Sequence, residues 1–112
     1  MRNIIIGILS LVFMIAITGC TDKTNPKFRV LNERSTKANV QIQTTGGNTM
    51  NLNDVQPGQA TAFHSAAEGN ITATAVIQNE SVSPTITFFA IYDEEYTIVI
   101  QTTTPPSLRV DR

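Results

Sequence analysis

From residue 27 onward the apolar side chains of this chain recur at every second position, a periodicity that fits strands and not helices. Phe28 and Val30 alternate with Arg29 and Leu31, and Val40 and Ile42 alternate with Asn39, Gln41 and Gln43. Met50 and Leu52 alternate with Thr49, Asn51 and Asn53. Ile71, Ala73, Ala75 and Ile77 share one face, with Thr72, Thr74, Val76 and Gln78 on the other. Tyr96, Ile98 and Ile100 alternate with Thr97, Val99 and Gln101. Such alternation sets one face against a core and leaves the other in water. The outward threonines are β-branched and suit the pleated backbone.

The breaks between these runs carry turn chemistry. Gly46-Gly47-Asn48 separates two alternating runs as a hairpin turn would. Gln56-Pro57-Gly58-Gln59 places Pro and Gly at the two central positions of a type II turn. Glu68-Gly69-Asn70 and Asp93-Glu94-Glu95 mark two further reversals. Strands recurring every 8–12 residues between turns indicate a sandwich. The expected fold is all-β, a single small antiparallel immunoglobulin-like sandwich of about seven strands. They are placed at residues 27–32, 38–43, 48–53, 59–64, 70–78, 84–91 and 95–101. Val40, Ile42, Ile71, Ala73, Ile98 and Ile100 are expected to point into its core.

Residues 85–91 are apolar on both faces. A central strand covered on both sides reads this way. So does a strand whose Phe88 or Ile86 packs beneath a loop, or one that exposes a patch to a partner. The sandwich is expected over residues 27–104. Residues 105–112 begin with Pro105-Pro106, which cannot donate to a ladder, and continue either as a short edge strand or as a loose tail.

The other end of the chain is of a different kind. Met1-Arg2-Asn3 is a short positive start, and residues 4–17 form a nearly unbroken apolar run. Fourteen residues suit the core of a signal peptide and fall short of the roughly 20 that span a bilayer as a helix. The run ends in Ile17-Thr18-Gly19-Cys20, which resembles the lipobox of bacterial lipoproteins. That resemblance implies a signal-peptide helix over residues 1–19, diacylation of the Cys20 thiol, and cleavage between Gly19 and Cys20. A single acyl chain holds a protein to a membrane only reversibly, and a second makes the attachment stable. Residues 20–26 are polar and read as a lipid-anchored tether. Thr21 rather than Asp after the cysteine favours the outer membrane of a Gram-negative cell. In a Gram-positive cell the anchor sits in the outer face of the cytoplasmic membrane.

Composition narrows the function classes. Removing residues 1–19 from a chain of 112 leaves room for one domain. With 8 basic and 9 acidic residues and no basic cluster, nucleic acid is not an expected partner. Cys20 is the one cysteine, so no internal disulfide forms. A hydrolase needs a nucleophile, a base and an orienting group. The one histidine, His64, lies in a strand-like run with no nucleophile elbow near it. It reads as a surface or strand histidine, and no catalytic residue, metal site or cofactor is expected. Asp93-Glu94-Glu95 matches no calcium loop and reads as a solvated acidic turn. Asn70-Ile71-Thr72 and Asn79-Glu80-Ser81 match the glycan-acceptor pattern, by coincidence in a bacterial lipoprotein.

Four segments together carry a further resemblance: Phe28-Arg29-Val30-Leu31-Asn32, Ala38-Asn39-Val40-Gln41-Ile42, Asp54-Val55-Gln56-Pro57-Gly58 and Glu95-Tyr96-Thr97-Ile98-Val99-Ile100. In order and spacing the chain resembles the "domain of unknown function 4397" family. These are small immunoglobulin-like envelope sandwiches, often lipid-anchored and often repeated. This chain has one copy and fewer aromatics, and the family defines no catalytic residue to carry over. The resulting expectation is a non-enzymatic cell-envelope lipoprotein, held to the membrane through Cys20. It presents its sandwich as a structural or protein-interaction module, with another envelope protein as the possible partner. Three rivals predict other marks, one of them an enzyme, which would need a cleft around His64. A periplasmic inhibitor or immunity lipoprotein that blocks an enzyme would show a compact apolar or acidic patch. A carbohydrate-binding module would show coplanar exposed aromatics, and here there is no Trp and only Tyr92 and Tyr96 as tyrosines.

Overall fold

The computed structural model describes residues 22–112. The expected signal helix, the Gly19–Cys20 cleavage point and the lipid-bearing Cys20 lie outside the described residues.

Among the described residues eight strands form: β1 (Lys27–Asn32), β2 (Ala38–Thr44), β3 (Thr49–Val55), β4 (His64–Ser65), β5 (Gly69–Ile77), β6 (Thr85–Ala90), β7 (Glu95–Ile100) and β8 (Leu108–Asp111). They build two four-stranded sheets, ordered β4-β1-β7-β8 and β3-β2-β5-β6. No helix occurs among the described residues. The core lies between the sheets and draws one side chain in two from each long strand. Phe28, Val30, Val40, Ile42, Ile71, Ala73, Ala75, Ile77, Ile98 and Ile100 are all buried in one cluster. The six residues expected in the core are all there. Half-buried Met50, Leu52, Ile86, Phe88, Leu108 and Val110 close the sides of the cluster.

Two turns follow their residues closely. Gln59 N–H donates to the Gln56 carbonyl at 3.1 Å, and Gly58 between them has φ of 74°, as a type II turn requires. The β2–β3 hairpin closes with Gly47 N–H on the Thr44 carbonyl at 3.2 Å, and Gly46 and Gly47 have φ of 99° and 86°.

Four features are not fixed by the alternation, and the first two depart from the expectation. First, the sandwich is not wholly antiparallel: β1 runs parallel to β7 over all six residues, from Lys27 opposite Glu95 to Asn32 opposite Ile100. Alternation gives each strand two faces but no direction relative to a partner so far away in the chain. Second, residues 59–64 are not a regular strand. They follow the free edge of β1, but the Val30 N–H donates to the Thr61 hydroxyl at 3.0 Å instead of to a carbonyl. That displacement leaves a single bridge at Ala60 and a two-residue β4. Third, β6 is an edge strand and not a covered central one. Ile86 and Phe88 are half-buried on its inner side, while Phe89 on the other is 58% exposed. Fourth, β3 carries a bulge between its Val55 and Leu52 pairs, where Asp54 takes φ of 56° and its N–H donates to Asn39 Oδ1. Of the two readings of the C-terminal segment, the edge strand is the one that forms, as β8 against β7.

Among the described residues one polar side chain is completely buried. Asn32, the last residue of β1, donates from Nδ2 to the carbonyls of Thr36 (2.8 Å) and Val55 (3.0 Å) and accepts from the Arg34 N–H (2.9 Å). Its own carbonyl accepts from Gly58 N–H at 2.7 Å. Asn32 thereby ties the first sheet to the β3 end and the Pro57-Gly58 turn of the second.

Candidate interaction surface

The outer faces of the two sheets differ in charge. In the β4-β1-β7-β8 sheet the outward positions include Lys27, Arg29, Glu95, Arg109 and Asp111. In the β3-β2-β5-β6 sheet the side chains alternating with the core are Thr49, Asn51 and Asn53 on β3, Asn39, Gln41 and Gln43 on β2, Asn70, Thr72, Thr74 and Val76 on β5, and Thr85, Thr87 and Phe89 on β6. None of these is ionisable; the charge on this side of the sheet is at its β3 margin, where exposed Asp54 at the bulge pairs with Lys37 at 3.6 Å. Strand register lines them up in rows across the sheet, Asn51-Gln41-Thr74-Thr85 and Thr49-Gln43-Thr72-Thr87. The threonines of β5 and β6 bond to each other, Thr72 to Thr87 at 2.9 Å and Thr74 to Thr85 at 3.1 Å. The result is a broad field of amides and hydroxyls whose burial would desolvate no charge. Protein-interface centres share this depletion of charge.

Edge chemistry singles out one margin of that field. β4 is two residues long, β3 has its bulge, and β8 carries Arg109 paired to both carboxylate oxygens of Asp111 at 2.9 and 3.0 Å. That pairing holds the Asp111 carboxyl below the usual carboxylate range. Shortness, bulges and charges all discourage another strand from adding to an edge. β6, with sequence TITFFA, has no charge, no proline and no bulge. Beside it an open cleft of about 270 Å³ is lined by Phe88, Phe89, Ile91, Tyr96, Val110 and Arg112. Within it the Phe88 and Tyr96 rings lie 5.1 Å apart, and the Arg112 guanidinium stands 5.7 Å from the Tyr96 ring.

The residues singled out for chemistry fall elsewhere. His64 sits on β4, half-buried, its ring 5.9 Å from Phe28. Among the described residues no hydroxyl or carboxylate bonds its imidazole, and no group of three potential metal ligands occurs. The polar cleft of about 180 Å³ around Arg34 is occupied by a staple. Arg34 donates to the Gln101 and Thr103 carbonyls at 2.8 and 3.1 Å and to Glu80 at 3.0 Å, joining three loops. Asn70 is exposed on the uncharged face, and Asn79 turns the β5–β6 loop with φ of 70°.

The acidic turn is a clasp, not a solvated loop alone. Asp93 Oδ1 accepts from Thr24 N–H at 2.9 Å and Thr24 Oγ1 at 2.7 Å, and Asp93 N–H donates to the Thr24 carbonyl at 2.9 Å. Pro26 is buried, and Lys23 lies 5.2 Å from the Tyr92 ring. Part of the expected tether is therefore docked on the domain. The Thr24 backbone N–H, then its hydroxyl, and to a lesser degree the charge of Lys23 hold the Asp93 carboxyl below its ordinary value. A carboxyl depressed by folding stabilises the clasp above the unfolded carboxylate range, and that contribution is lost as pH falls through the folded value. Thr24 is thus expected to be released only as pH falls past the ordinary aspartate value and through the depressed one. Amide exchange at Thr24 should accelerate there while core amides stay protected; unchanged protection after Asp93 protonates would contradict the clasp.

The fold and its two unequal faces define a small single-domain β-sandwich compatible with the immunoglobulin-like class. It is similar to a protein from Eubacterium rectale with a structure determined by NMR: TM-score 0.60 at 13% identity, covering 82% of this chain and 91% of that one. A structure of Klebsiella pneumoniae 5-hydroxyisourate hydrolase aligns more loosely, with TM-score 0.46 at 21% identity over 80% of this chain and 92% of that one. No protein-family model matches the chain, and no curated protein is found similar to it.

The uncharged face had a signal in the sequence, since each strand displays its own outward residues. Only the sheet order assembles those residues into one surface.

Proposed function

We propose that this protein is a non-enzymatic cell-envelope lipoprotein that uses the β3-β2-β5-β6 sheet to engage another protein. The observation carrying this reading is the outer face of that sheet, thirteen uncharged residues on four strands with Asp54 at the β3 bulge as the one strand charge at its margin. Covering such a surface desolvates no charge, and its amides and hydroxyls stay satisfied only where the partner hydrogen-bonds them. The opposite face keeps its charges and stays in water. The exposed aromatics favour a protein partner over a polysaccharide, because Phe89 stands on one sheet and Phe63 beside Arg29 at the other.

Lipid attachment at Cys20 fits the same reading. Thr24 is clasped by Asp93, so only four Cα steps, at most about 14 Å, separate Cys20 from the docked chain. The Tyr92–Asp93 end of the sandwich then faces the membrane, and the sheets stand up from it. Cys20→Ser is expected to give a chain that retains residues 1–19 and takes up no labelled palmitate; normal labelling of that variant would rule the anchor out.

The surface is tested by placing a photo-crosslinking residue at Gln41 or at Lys27 in the full chain and irradiating intact cells. Protein adducts identified by mass spectrometry are expected from Gln41 and not from Lys27. Adducts from Lys27 alone, or from neither position, would reject the surface.

A further inference from the structure

We infer that the open edge of β6 pairs with β6 of a second copy of this chain, antiparallel and centred on Thr87. The inference rests on the reading of this sheet as an interaction surface and names its occupant.

The backbone sets the register. In the β5–β6 ladder Ala75 N–H donates to the Pro84 carbonyl at 3.0 Å, directly opposite. Antiparallel ladders alternate, so Ile86, Phe88 and Ala90 also turn their N–H and C=O groups to β5. Thr85, Thr87 and Phe89 therefore aim theirs away from the sheet, at the free edge. A twofold axis through Thr87 brings these three residues opposite Phe89, Thr87 and Thr85 of the second copy. Those are hydrogen-bonded pairs, two bonds each, and no edge group of the segment is left over.

The side chains agree with that register. Residues paired about a central residue share a face, so Ile86 and Phe88 meet Phe88 and Ile86 of the second copy on the inner side. They do so at the closely spaced, non-hydrogen-bonded positions, where aromatic and β-branched partners pack well. The cleft of about 270 Å³ lined by Phe88 and Tyr96 opens on that same side and can take the incoming side chain. On the outer side Thr87 meets Thr87, continuing the threonine pairing already seen between β5 and β6. β6 carries no charged side chain, so no charge is opposed in this register.

Five residues a side is far fewer than the roughly 20–30 of a standard interface. The pair is therefore weak in dilute solution and forms where chains are crowded, as on a membrane. The joined sheets would run β3-β2-β5-β6-β6-β5-β2-β3 and present one continuous face, uncharged between the two β3 margins.

The test uses the full chain in two differently tagged forms, co-produced in bacterial cells, crosslinked and captured through one tag. Wild-type chains are expected to bring down the second tag. Thr87→Lys in both forms, or Thr87→Glu in both, is expected to reduce capture to background, because like charges then face each other across the axis. Mixing a Thr87→Lys form with a Thr87→Glu form should restore it. Thr87 is an exposed edge position, and unchanged circular dichroism of the variants separates lost pairing from lost folding. Wild-type chains that do not capture one another, or capture that survives Thr87→Lys in both forms, would overturn the pairing. Capture of a different protein, lost with Thr87→Lys, would overturn the second copy as occupant while sparing the interaction surface.

Discussion

Ile98→Ala is expected to destabilise the domain by about 2–5 kcal/mol, the range for a fully buried branched aliphatic truncated to alanine. Ile98 is 0% exposed at the centre of β7, paired to Val30 on one side and Val110 on the other. It cannot collapse without moving two neighbouring strands, so the vacated volume stays largely empty. Domains of this size have only about 5–15 kcal/mol in all, so a substantial share is lost. The melting temperature of residues 22–112 should fall by roughly 10–30 °C. Thr97, next to it, points to the opposite face and contributes a hydroxyl that accepts from Arg29 Nε at 3.1 Å. Thr97→Ala should cost no more than about 1 kcal/mol, the net contribution of one such bond. Equal losses from the two substitutions would mean that β7 sits in the wrong register.

Asn32→Ala should cost about 2–4 kcal/mol for a different reason. The substitution removes two donors and one acceptor from a site with no solvent contact, leaving the Thr36 and Val55 carbonyls and the Arg34 N–H without their partner. Buried groups stranded in this way cost about 1–3 kcal/mol each, less whatever water recovers. Asn32→Asp is expected to be worse at neutral pH. Its carboxylate would face two carbonyl oxygens and be buried without a counter-charge. Burial would raise that carboxyl's folded-state pKa above its unfolded value, so the variant should regain stability as pH falls and the acid protonates. Thermal denaturation of both variants at pH 7 and pH 4.5 checks this. An Asn32→Ala domain within 0.5 kcal/mol of wild type, or an Asn32→Asp domain that does not gain relative to wild type on acidification, would contradict the assigned bonds.

What was legible in the sequence was local. The alternation of Val40 with Gln41 and of Ile98 with Thr97 reports two faces of a strand, because the strand's geometry alone puts successive side chains on opposite sides. Gly58 after Pro57, and the Gly46-Gly47 pair, report turns because few other residues accept those backbone angles. The lipobox-like Ile17-Thr18-Gly19-Cys20 is a linear pattern and needs no fold to be read. Tertiary structure decided the rest. It set β1 parallel to β7, broke residues 59–64 against the β1 edge, docked Thr24 on Asp93 and put the doubly apolar β6 at a margin. Alternation says nothing about which strands are neighbours, in which direction, or where a sheet stops. Those choices follow from how all the apolar faces close over one core and how distant backbone groups find partners. The uncharged face and its open edge exist only once β3, β2, β5 and β6 stand side by side.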